Sequence, residues 1–115
     1  MKFKKNELYA TLLILAAQTG DGKLVGLLHE DISLGLKRGL QKLMSEVNKF
    51  YQDYRKDLVE VNEKCKDDPK KLSEEIKILD EEDVEVTCEM VSLAVIEEIK
   101  TRNNYDFNLI QKFAK

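Results

Sequence analysis

The sequence predicts a mainly α protein in which a long central amphipathic helix packs on an N-terminal helix and C-terminal helices. It leaves room for one short β element near residues 84–88. Three observations carry this prediction. Ile32, Leu36, Leu40, Leu43, Val47, Phe50, Tyr54, Leu58 and Val61 succeed one another at steps of three or four residues, the spacing of a single helix face. One proline and five glycines in 115 residues leave little material for a loop-rich or all-β fold. Charged residues make up 36% of the chain, above the usual quarter, as long solvated helices require.

The central stripe has a consequence of scale. At 1.5 Å per residue it spans about 45 Å, whereas a compact chain of this length has a diameter of roughly 34 Å. The helix therefore has to project, fold against another long element, or meet a partner chain. The length itself fits a single α-helical domain over residues 1–115, large enough to bury a core without staples.

In chain order, Asn6 is a candidate N-cap for a helix from Glu7 to about Gln18. Leu8, Leu12 and Leu15 line one face, and Tyr9, Leu13, Ile14 and Ala16 widen it until little polar surface remains. Such a helix belongs at the centre of a core. Thr19-Gly20-Asp21-Gly22 ends it with turn chemistry. Lys23 to Leu28 fits a strand, a turn or the first turn of the next helix, and periodicity does not separate these. Glu30 and Asp31 stand where a helix N-terminus favours negative charge. The long helix follows and frays around Asn62 to Lys66. Asp67-Asp68-Pro69 closes it, since the residue before proline is pushed out of the helical region.

A further helix from Pro69 or Lys70 to Leu79 places Leu72, Ile76 and Leu79 on one side, with proline in its first turn. Val84-Glu85-Val86-Thr87-Cys88 alternates with period two, as a short strand or extended connection does. Met90 to Arg102 reads as an apolar helix broken by Asn103-Asn104. Asp106 then caps a last short helix bearing Phe107, Ile110 and Phe113.

Charge is unevenly spread. Residues 1–56 carry ten Lys/Arg and six Asp/Glu, residues 57–115 nine and sixteen, for a net −3. The acidic balance weighs against nucleic-acid binding, which draws on basic surface. Opposite-signed halves can pair within the fold or head-to-tail between subunits; two differently solvated faces are the simpler reading. No run approaches the roughly 20 apolar residues of a bilayer span, and the basic start Met1-Lys2-Phe3-Lys4-Lys5 is followed by no convincing signal-cleavage region. Cys65 and Cys88 form neither a disulfide framework nor a metal-ligand spacing. Together these predict a reduced, cytoplasmic setting, without membrane association.

Gly35 and Gly39 are costly choices inside a helix, up to about 1 kcal/mol each relative to alanine. Four residues apart, they permit a close helix–helix contact, within the subunit or between subunits; an irregular start to the helix is the competing account. The predicted contact surface is Ile32, Gly35, Leu36, Gly39, Leu43, Val47, Phe50 and Tyr54. Lys37, Arg38 and Lys42 form a basic cluster beside the glycines. It could hold a small anionic ligand, such as a nucleotide phosphate, or a partner's acidic surface; a solvated charged face is the simpler reading.

The lone histidine, in His29-Glu30-Asp31, has no second histidine to complete a common zinc site, and three successive residues cannot face one ion on a helix. Asp80-Glu81-Glu82-Asp83 lacks the spaced ligands and glycine of a calcium loop. No glycine-rich phosphate loop, nucleophile elbow or activated cysteine is present. The expectation is therefore no catalysis, no metal and no cofactor.

Three stretches carry a resemblance. Lys2-Phe3-Lys4-Lys5-Asn6-Glu7-Leu8 leads into an apolar helix. Ile32-Ser33-Leu34-Gly35-Leu36-Lys37-Arg38 opens the long helix, with Phe50, Arg55 and Leu58 beyond. Leu72-Ser73-Glu74-Glu75-Ile76 precedes Val84-Glu85-Val86. With these, covering most of its length, the chain resembles a small family of tailed-bacteriophage proteins of unknown function. The resemblance implies a phage or prophage origin, with no active site to carry over. Two function classes follow. One is a non-enzymatic interaction protein of the phage, a helical homo-oligomer that serves assembly or binds a phage or host protein. The other is a helical oligomer that binds or sequesters a small anionic ligand such as a nucleotide signal.

Overall fold

The computed structural model describes residues 1–99 and 103–115. Strand β1 (Lys2–Lys4) leads through a 3-10 turn at Lys5–Glu7 into helix α1 (Leu8–Leu15). Strands β2 (Ala17–Gln18) and β3 (Leu24–Val25) form a hairpin, and a 3-10 turn at Leu27–His29 follows. Helix α2 (Leu34–Lys64) then runs without a break for 31 residues. Helix α3 (Pro69–Glu81) folds back along its outer half. Strand β4 (Asp83–Glu85) pairs antiparallel with β1, Phe3 opposite Val84. Short helices α4 (Leu93–Glu97) and α5 (Phe107–Ile110) complete the order.

The mainly α fold with a central helix is as the sequence predicts. Ser33 takes extended backbone and its hydroxyl accepts from the Leu36 N–H at 3.2 Å, capping α2. Glu30 and Asp31 precede this cap rather than filling the first turn. The Glu30 carboxylate instead accepts from Asn103 Nδ2 at 3.0 Å and from the Tyr105 hydroxyl at 2.5 Å. At the far end Asp68 caps α3 through the Lys71 N–H at 3.1 Å, with Pro69 in the first turn.

The core lies at one end of the molecule. Leu36, Leu40, Leu43 and Val47 of α2 are buried there with Phe3, Leu8, Leu15, Leu27, Ile110 and Phe113. Beyond Val47 the same stripe is less deeply covered, with Phe50 and Tyr54 still packed on the core. Phe50, Tyr54, Leu58 and Val61 are half-buried, and α3 lies beside them, its Asp80 accepting from the Tyr54 hydroxyl. The radius of gyration is 16.1 Å and the extents are 50 × 34 × 20 Å, against about 13 Å for a compact chain of this size. The helix thus projects as an arm and folds against a second helix, two of the three outcomes its length allows.

Several elements differ from the sequence reading. Helix α1 stops at Leu15, not Gln18, and Asn6 sits inside the preceding 3-10 turn rather than at a cap. Gly26 is the physical reason for the early stop. A Cβ there would lie 2.7 Å from the Leu15 carbonyl oxygen, and its φ of +114° suits only glycine. This close approach lets β3 return beside the end of α1, and Ala16 turns extended to meet it. Tyr9 and Leu13 are exposed, so α1 faces the core on one side instead of standing at its centre. Lys23–Leu28 resolves into the β3 strand and the 3-10 turn.

The predicted strand at 84–88 shifts to Asp83–Glu85, where β1 supplies its partner. The helix expected from Met90 shrinks to α4; its end at Lys100–Arg102 lies outside the described residues. Val91 is extended because its N–H donates to the Phe113 carbonyl and its carbonyl accepts from Lys115, each at 3.1 Å. Ser92 then caps α4 through the Val95 N–H. Asp106 caps the last helix as expected, accepting from the Asn108 N–H at 2.9 Å, but Phe113 falls in the turn after it.

Candidate functional site

The glycine edge of α2 borders an open groove of about 330 Å³, lined by Ser33, Gly35, Leu36 and Gly39 on one wall and Glu89 to Ser92 with Val95 on the other. The two glycines play different parts. A Cβ at Gly39 would stand 3.0 Å from Val91 Cγ1, so the close contact there is internal, between α2 and the extended segment before α4. A Cβ at Gly35 would meet nothing within 4 Å. Val91 is the residue the sequence reading missed. Its pairing with the C-terminal turn is non-local, and an apolar run gives no signal for such a contact.

The other predicted contact residues are split by the fold. Leu36, Leu43 and Val47 are buried inside this chain and offer nothing to a partner. Ile32, Phe50 and Tyr54 are half-buried and pack against the core. The inner face of α2 is therefore committed to its own molecule, and what it presents outward is the opposite face and the arm. Leu34 is 61% exposed near the glycine groove, and Val59 and Ile78 are 57% and 59% exposed on the arm.

Lys37, Arg38 and Lys42 are all exposed, but they do not converge. Lys37 and Lys42 stand about 140° apart around the helix. Lys37 falls on the flank toward α1, Lys42 on the glycine flank, and none of the three lines the groove.

On the α1 flank the Tyr9 and Tyr51 rings stack with centroids 5.5 Å apart, and the Arg55 guanidinium lies 6.0 Å above Tyr51. Tyr51 stands one residue from the stripe member Phe50, so helical periodicity alone shows it as a flank residue, not as α1's partner. Burial, and then the hydrogen bond to Asp80, push the Tyr54 hydroxyl up to about 12. This couples α2 to α3 and leaves the phenol neutral.

The acidic run from the last turn of α3 into β4 is only partly neutralised. Glu82 takes Lys5 Nζ at 2.7 Å and Glu85 the N-terminal amine at 2.9 Å. Asp80 is held by Tyr54, and Glu81 and Asp83 are exposed with no ion pair among the described residues. His29 is exposed on its 3-10 turn. Among the described residues no three His, Cys, Asp or Glu side chains are placed to hold a metal ion, and no helix is long and apolar enough to cross a membrane. Comparison with family models, curated proteins and solved structures finds none that this chain matches.

Proposed function

We propose that the protein is a non-enzymatic interaction protein that acts as a helical oligomer, of the phage assembly or host-factor-binding kind, in the cytoplasm of a host cell. The observation that carries this reading is the arm. Past Tyr54, the last of its residues packed on the core, α2 runs on with α3 and the Lys5 side chain beside it, and Val59 and Ile78 stay more than half exposed there. Exposed apolar side chains on a projecting element suit a binding surface better than a reaction centre. Two free thiols, Cys65 and Cys88, suit a reducing compartment. Sequestration of a small anion at Lys37, Arg38 and Lys42 has less support, because the three spread around α2 and none of them lines the groove.

Light scattering over a wide concentration range tests the reading. The expected result is a mass above that of one 13.3 kDa chain, rising with concentration. A mass that stays at one chain throughout removes the oligomer from the proposal.

A further inference from the structure

The outward face of α2 carries an unusual concentration of one charge. Arg38, Lys42, Lys49 and Lys56 lie within an arc of about 40° and along about 27 Å of helix, on the side opposite Leu36, Leu40, Leu43 and Val47. All four are exposed. No acid falls in that arc over the same length; Glu46 and Asp53 border it, and Glu46 is engaged with Lys49 at 2.9 Å. The acidic edge is held on the other side of the same helix. Tyr54 follows Leu36 by 18 residues, five full turns, so it sits on the buried side, and there it binds Asp80.

The two surfaces therefore cannot close on each other within one chain, because α2 stands between them. Their complementarity is available only between copies. We propose that, given the oligomer argued above, copies associate head-to-tail, the basic outer face of α2 on one chain docking the acidic edge around Glu81 and Asp83 of the next. Such a contact joins two different surfaces and leaves one of each free at the ends. It propagates into a chain of subunits or closes into a ring, whereas a two-fold dimer stops at two. Like-charged orientations are disfavoured, so the charge pattern also fixes polarity.

The test is sedimentation velocity on the full chain at about 20 mM and about 500 mM salt, where screening lengths differ several-fold. Two variants accompany it, Arg38→Glu/Lys42→Glu/Lys56→Glu and Glu81→Lys/Asp83→Lys, each checked for unchanged helicity by circular dichroism. The proposal predicts association roughly tenfold or more weaker at high salt, loss of association in each variant alone, and its recovery when the two are mixed. Oligomers that ignore both salt and charge reversal overturn the head-to-tail contact and leave the oligomer itself standing. A single-chain mass under every condition overturns both. A wild-type chain that stays single but binds a DNA duplex, and loses it in the triple variant, assigns the face to a polyanion and overturns the proposal.

Discussion

The Lys112 ammonium donates to both oxygens of the Glu7 carboxylate, each at 2.7 Å, and so joins the start of α1 to the turn after α5. Burial works against the charge on Glu7, but the bonds from Lys112 and from the Lys4 N–H at 2.8 Å outweigh it and hold its pKa below the ordinary 4.5. A carboxylate with a depressed folded pKa adds stability above its unfolded value, and that stability is lost as the pH falls through the folded one. A double-mutant cycle with Glu7→Gln and Lys112→Met is expected to give a coupling of about 1 kcal/mol at neutral pH. The coupling fades below pH 4.5. Urea midpoints at neutral and acid pH measure it, and a coupling unchanged in acid contradicts the assignment.

Tyr54 reports on the arm from the alkaline side. Its folded pKa of about 12 lies above the ordinary 10.0, so the stability it adds is complete below pH 10 and is lost as the pH rises through 12. Ultraviolet titration is expected to show a late-ionising tyrosine component that disappears in Tyr54→Phe. The same variant loses about 1 kcal/mol and exposes α3 amides to faster hydrogen exchange. If the component lost in Tyr54→Phe ionises near the ordinary 10.0, the bond is ruled out in solution.

The glycines of α2 separate by environment. Gly35→Ala adds helix propensity and meets no atom within 4 Å, so it is expected to raise the unfolding free energy measured in urea by up to about 1 kcal/mol. Gly39→Ala brings a Cβ to 3.0 Å from Val91 Cγ1, and Val91 is held by its ladder bonds. That variant forfeits the gain or loses stability. Equal gains at both sites contradict the internal contact.

Gly26→Ala is the severe case. It combines a Cβ 2.7 Å from the Leu15 oxygen with a φ of +114°, and is expected to cost about 2 kcal/mol or more. Gly20→Ala, with open space around it, is the control within the same stretch. Comparable midpoints for the two remove the account of why α1 ends at Leu15.

The elements legible in the sequence are those specified by local chemistry. The α2 stripe, the Asp68-Pro69 start of α3 and the Asp106 cap are set by neighbours three or four residues away, where periodicity and capping operate. What escaped was set from a distance. Ala16 to Gln18 favours helix on propensity, yet Gly26, ten residues past Ala16, packs against its backbone. Val91 sits in an apolar run that reads as helix, yet the C-terminal residues claim its backbone groups. The contact surface was half legible for a similar reason. The spacing located the face of α2 that packs, but Leu36, Leu43 and Val47 meet their own chain, and only long-range packing decides that.

One uninterrupted helix is both a wall of the core and the spine of the arm, and this makes α2 a lever. From Tyr54, the last of its residues packed on the core, to Lys64 it reaches about 15 Å with no proline or glycine to act as a joint. A force at the tip is carried inward as torque on Leu36 to Val47 instead of being absorbed on the way. Gripping the far end is therefore a means of loosening or bracing the interior.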